Sequence, residues 1–129
     1  MQYENGSPED WIIAESEHYQ IRGCYEEANL HSKEDGHYIT CVGDFYGDPT
    51  TGLIDKNERF CVTAGCGYII YYLKEPMETY MYNMNTAQWA EDGREPDAIR
   101  WIERVRQISD NEIELTDEEG NTETVCVPI

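Results

Sequence analysis

Asp44, Asp48 and Asp55, with Glu58 beyond them, crowd into the stretch GDFYGDPTTGLIDKNERFCVTAGCGYIIYYL, residues 43–73. Carboxylates in a Gly- and Pro-containing loop are the raw material of a cation site. A calcium loop of the EF-hand kind needs oxygen ligands at alternate positions, a central glycine and a late bidentate glutamate. Tyr46 occupies the middle ligand position, so that alternation fails. A phosphate cradle fails too, because no Lys-Ser/Thr pair and no helical pattern follow the glycines. The same residues suit a corner between strands. Asp and Gly form turns, Pro49 stops pairing and Gly47 can take positive φ. A structural corner is the expectation, followed by LID as a short strand close to the surface.

Cys66, in GCG, is the second candidate. A nucleophile elbow needs Gly-x-Ser/Cys-x-Gly at a strand-to-helix turn. Here one residue too few separates the glycines, and the strand-like IIYYL follows. A nucleophilic thiol also needs a histidine, and His18, His31 and His37 stand in no recognisable motif. Small residues at 64, 65 and 67 suit a bend or the close approach of another strand. The five cysteines are odd in number and contain no CxxC, which disfavours a disulfide framework or a zinc ribbon. Buried structural thiols are expected. No catalytic residue, cofactor or metal site is expected.

The tyrosines offer a different chemistry. Tyr46, Tyr68, Tyr71, Tyr72, Tyr80 and Tyr82 interleave with Asp48, Glu75 and Glu78. One reading is a sheet whose tyrosine bodies pack while the hydroxyls reach water. The other is a protein-binding face, with aromatic anchors among carboxylates that meet Arg and Lys. On the second reading the partner-binding residues are Tyr46, Asp48, Glu75, Glu78, Tyr80 and Tyr82.

Charge narrows the partner. The chain has 27 acidic and nine basic residues, for a net charge of −18. Spread over about 7,000 Å² of surface, that is one net negative per ~400 Å². Nucleic acid and anionic membranes are disfavoured as ligands, and basic proteins are favoured. MQYENGSPED carries neither a basic n-region nor an apolar run, and no spanning-length apolar stretch follows, so a cytoplasmic chain is expected.

The elements that position these groups read as strands. A chain of 129 residues fits one domain, with residues 1–8 loose. Residues 11–15 are a short apolar run, 19–25 alternate with a bulge at Gly23, 37–45 read as a strand, and 60–73, dense in β-branched and aromatic residues, read as a strand pair or one long bent strand. ETYMYNM alternates through Tyr80 and Tyr82 against Met81. NEIELTDEEGNTETVCVPI reads as a hairpin turning at EEGN. Residues 96–108 fit either a helix face or a strand, WIERVRQI; the strand is preferred because the hairpin needs a neighbour. The expected fold is mainly β, an antiparallel sandwich or curved barrel-like sheet with at most one or two short helices.

GDFYGDPTTGLIDKNERFCVTAGCGYIIYYL, then QW, then WIERVRQISDNEIELTDEEG resembles the small acidic immunity proteins of bacterial polymorphic toxin systems, encoded beside secreted toxins of contact-dependent, type VI or related pathways. The resemblance spans residues 37–127. It implies inhibition by tight binding in the cytoplasm, with no catalysis, against a toxin's active site or an adjacent surface. The implied partner is a cognate toxin domain, basic in charge, such as a nuclease or nucleotide-acting enzyme. Two alternatives stand beside it. One is an acidic nucleic-acid mimic that blocks a DNA-binding enzyme. The other is a small hydrolase using Cys66 or the Asp44, Asp48 and Asp55 group.

Overall fold

The run FCVTAGCGYIIYYL lacks polar alternation because both of its faces are buried. The computed structural model describes residues 10–129, and the loose stretch expected over residues 1–8 lies outside them. Eleven strands follow in order: β1 (Asp10–Glu15), β2 (Tyr19–Cys24), β3 (Glu27–Ser32), β4 (Tyr38–Asp44), β5 (Thr51–Ile54), β6 (Phe60–Gly65), β7 (Gly67–Tyr72), β8 (Trp89–Asp92), β9 (Ile102–Ser109), β10 (Glu112–Asp117) and β11 (Thr122–Cys126). All pair antiparallel, in three sheets ordered β1-β2-β3-β4, β5-β6-β7-β8 and β11-β10-β9. None of the sheets closes into a barrel, and no helix occurs among the described residues.

Two cores lie on the two faces of the β5–β8 sheet. Cys61, Ile69 and Tyr71 point towards the first sheet, where Ile21, Leu30 and Val42 meet them. Their strand neighbours Phe60, Val62, Tyr68 and Ile70 point the other way, against Val105, Ile113, Leu115 and Val127 of the third sheet and its C-terminal extension. β6 and β7 are therefore buried at every position but Tyr72, Thr63 included, while β10 alternates buried and half-buried residues and β9 buries Ile102 and Val105. Residues 102–109 are a strand, as the hairpin's need for a neighbour required. The hairpin itself turns over Asp117–Asn121, where Asp117 Oδ1 accepts from the amides of Glu119 and Asn121, both at 2.9 Å.

Several local expectations need correction. Gly23 sits in regular pairing with Ala28, so it is no bulge; the register shift falls in β1, between Ile12 and Ala14. Its missing side chain makes room for the indole of Trp11, its cross-strand partner, since a Cβ there would lie 2.4 Å from Trp11 Cε2. ETYMYNM is not a strand. One backbone bond, Tyr80 N to Cys41 O at 2.9 Å, lays it along the open edge of β4, and Asn83 then turns it at φ 61°. The expected surface strand LID ends in the core: β5 is short, but Asp55 beyond it is fully buried. Of the five free cysteines, four are buried and Cys126 is exposed. Burial pushes the Cys41 thiol up to about 11.

Candidate functional site

GDFYGDP carries the chain from the end of β4, in the first sheet, to β5, in the middle one. Three contacts hold the corner. Phe45 N donates to Glu26 O at 2.8 Å, Gly47 N to Glu26 Oε2 at 2.9 Å and Thr50 N to Ala64 O at 3.1 Å. Gly47 has φ +89°, a conformation a side chain resists. The corner passes over the β6–β7 turn, where a Cβ on Gly65 would stand 3.2 Å from Asp48 O. Gly67, at φ +75°, has the β8 exit against it, with Asp92 O only 2.5 Å from a notional Cβ. The small residues around Cys66 thus serve close approach of backbone.

One side chain joins these segments. Arg94 follows β8 with only 7% of its side chain exposed. Its Nη1 donates to Cys66 O at 2.8 Å, and its Nη2 donates to Asp44 O and to Tyr80 Oη, the latter at 3.3 Å. Nε lies 2.9 Å from Glu91 Oε1, an ion pair without the angle for a hydrogen bond. The guanidinium carbon sits 4.6 Å from the ring centre of Phe45 and 5.6 Å from that of Tyr82, within cation–π range. Tyr80 donates its hydroxyl to Glu91 Oε1, and burial followed by that bond pushes the phenol's pKa up. Arg94 thereby clamps the end of β4, the β6–β7 turn and the segment around Tyr80.

Above this clamp opens a cavity of about 540 Å³, with Glu26, Asp44, Phe45, Tyr46 and Tyr82 among its walls. Tyr46 is 73% exposed and Tyr82 50%. Trp101, 41% exposed, stands beside the corner, with Cζ3 3.9 Å from a notional Gly47 Cβ. The β2–β3 turn that supplies Glu26 also presents Tyr25 at φ 54°, half-exposed. Burial first, and the charge of Glu26 second, push the Asp44 carboxyl up from its ordinary value. Among the described residues, neither Glu26 nor Asp44 has a cationic side chain within ion-pair distance.

Of the sequence candidates the structure brings Tyr46 and Tyr82 to the cavity; Asp48 stands on the corner, over Gly65, and the others lie elsewhere. Tyr80 is 4% exposed and packs on Trp89 at 5.0 Å, so it braces the floor and offers a partner no surface. Glu78 is held by Thr86 and Gln88, near where Tyr71 donates to its carbonyl. That places it towards the far end of β7, roughly 13 Å of strand away from Gly67. Glu75 lies near Tyr19, whose phenol feels its charge. Arg94 and Glu26, and Trp101 beside the corner, were not singled out from the sequence; Asp44 was, as part of a candidate cation or hydrolase group and not as a binding residue. The one signal for Arg94 is scarcity: it is a lone cation in EDGREPD.

The other candidates disperse. Asp55 and Glu58 belong to the β5–β6 turn, away from Asp44. No group of His, Cys, Asp and Glu among the described residues is arranged to hold a metal ion. His18 pairs with Glu58, His37 with Asp35, and His31 contacts Gly36 O, all at the far end of the first sheet from Cys66. Among the described residues no helix is long and apolar enough to cross a membrane. No protein-family model matches this chain, and no curated protein matches it.

Proposed function

We propose that this chain is an immunity protein: it binds a cognate secreted toxin domain in the cytoplasm of the cell that makes it and blocks the toxin's active site or an adjacent surface. The supporting observation is the mouth over Arg94. Two exposed aromatic rings, Tyr46 and Tyr82, line it with the carboxylates of Glu26 and Asp44, which make no ion pair among the described residues; exposed Trp101 stands beside the corner, and the base is braced from four segments of chain. Tyr and Trp are enriched where interfaces concentrate their energy, and a rigid base spares the entropy of ordering them on binding. Net charge −18 supports a basic partner, because complementary fields speed encounter. The resemblance of residues 37–127 to acidic immunity proteins points the same way.

The test is co-expression with the product of the adjacent gene. Growth rescue, a stable 1:1 complex and loss of the toxin's activity in vitro are the expected results. A neighbouring gene product that neither binds nor is inhibited would overturn the proposal.

A further inference from the structure

The cavity over Arg94 raises a question of sign: it holds both a cation and two carboxylates. Arg94 is already spent. Glu91 balances its charge, and its Nη atoms serve two backbone carbonyls and Tyr80. Against the single charge of Arg94 stand the carboxylates of Glu91, Glu26 and Asp44, so the cavity keeps an excess of negative charge even though Arg94 also favours the charged form of Asp44. Glu26 uses one oxygen on Gly47 N, and its second has no recorded partner among the described residues. The Asp44 carboxylate accepts from the Phe45 amide and lies in the field of Arg94, but makes no ion pair among the described residues. The charge of Glu26 disfavours the ionised form of Asp44, and a cation placed between the two would relieve the repulsion. The walls add the ring faces of Tyr46 and Tyr82, which attract cations.

We infer that this cavity is a socket for the guanidinium of one arginine, carried at the tip of a protruding loop of the partner. The inference rests on the proposed toxin-binding function and names the chemistry of the contact. Arginine suits the socket better than lysine. Its planar head stacks on tyrosine and forks to carboxylate oxygens, and it gives up water more readily than an ammonium. A volume of about 540 Å³ exceeds one side chain, so flanking residues of the loop enter as well.

The experiment uses three blocked tripeptides, acetyl-Gly-X-Gly-amide with X as arginine, lysine or citrulline, titrated to millimolar concentration into the isotope-labelled protein. The arginine peptide should shift the amides of residues 44–47 and the Arg94 Nε signal saturably. Losing a charge-assisted hydrogen bond lowers affinity by about tenfold or more, so citrulline should give no saturable shift. Lysine should bind several-fold more weakly than arginine. Asp44→Asn with Glu26→Gln should abolish the shifts without altering the spectrum elsewhere, and Glu123→Gln, on β11, should change nothing. Equal binding of citrulline, equal binding of lysine, or binding that survives the double substitution each overturns the socket. If the peptide fails while the toxin still binds through Tyr46, the socket falls and the immunity function stands. If the peptide binds and no adjacent gene product does, the socket stands and the immunity function falls.

Discussion

Two arginine–carboxylate clusters sit at opposite ends of the middle sheet, and they are finished to different degrees. At the β5–β6 turn, Asp55 is 0% exposed and accepts from Arg59 N at 3.0 Å, Arg59 Nε at 2.6 Å, Arg59 Nη2 at 3.0 Å and Gln107 Nε2 at 2.7 Å. Arg59 continues to the carbonyl of Asp110, which ties the middle sheet to the third. Nearby, Glu58 binds Ser16, the amide of His18 at 2.8 Å and His18 Nδ1 at 2.7 Å, tying in the first sheet. This end is closed: each carboxylate has its donors. At the Arg94 end the base is equally well tied, yet Glu26 and Asp44 are exposed and make no ion pair among the described residues, beside rings that water touches. A closed cluster serves the fold alone. An open one built on a rigid base has capacity left for a partner.

The difference makes Asp55 and Asp44 titrate with opposite sign. Burial alone would raise the Asp55 carboxyl, but the bonds from Arg59 and Gln107 outweigh it and hold it well below the usual range. A depressed folded pKa contributes stability that is present above the unfolded value, near 3.9, and lost as pH falls below it. Asp44 is raised, so its contribution is present below the unfolded value and lost as pH rises through the folded one.

Breaking the closed cluster should have the largest effect. Asp55→Ala strands Arg59 and Gln107, and urea denaturation at pH 7 should show a loss of about 3 kcal/mol, because removing one partner of a buried pair leaves the other unmatched. The deficit relative to wild type should shrink below about pH 4, where wild type loses the same contribution. Asp44→Asn should show no such deficit at pH 7, and a comparable loss there would erase the contrast between the two ends.

At the open end, Tyr46→Ala should separate binding from folding. Affinity for the toxin should fall by roughly 2 kcal/mol, mainly through faster dissociation, if Tyr46 anchors the interface. Stability should stay within about 0.5 kcal/mol of wild type. Charge reversal of Glu75 and Glu78 should leave affinity nearly unchanged, since both lie outside the mouth; a loss equal to that of Tyr46→Ala would move the interface along the chain.

Gly47→Val tests whether the corner is structural as well as a wall of the cavity. Forcing a β-branched residue to φ +89° should cost about 1–2 kcal/mol and lower the melting temperature. The smallest effect belongs to His18. The hydrogen bond that His18 donates to Glu58, and then the charge of Glu58, raise the His18 pKa. The small stability it adds is present below about 6.5 and fades as pH rises through the folded value. An NMR titration should find His18 above the usual histidine range, and Glu58→Gln should return it there without moving His37.

The strands were readable where one face alone is buried, because period-two alternation then separates core from solvent, as in β10; β9 buries Ile102 and Val105 three residues apart, which is why its stretch also fitted a helix face. ETYMYNM misled through the same alternation. Tyr80 is buried and Met81 exposed as in a strand, but Tyr82 is exposed as well. Alternation records which side chains are buried and carries no information on whether a neighbour completes the ladder. The corner and its Gly47 were legible because turn chemistry is local.

By itself the sequence determined an all-β chain, its hairpins, the glycine corner and a heavily negative surface, since each follows from neighbours along the chain or from composition. Tertiary structure alone decided the three-sheet stacking, the burial of Tyr80 and Asp55, and the site. Arg94 takes its ligands from Asp44, Cys66, Tyr80 and Glu91. No spacing along the chain encodes that set, because its four members come from the end of β4, the β6–β7 turn, the segment along the edge of β4, and β8, and meet only when the sheets pack.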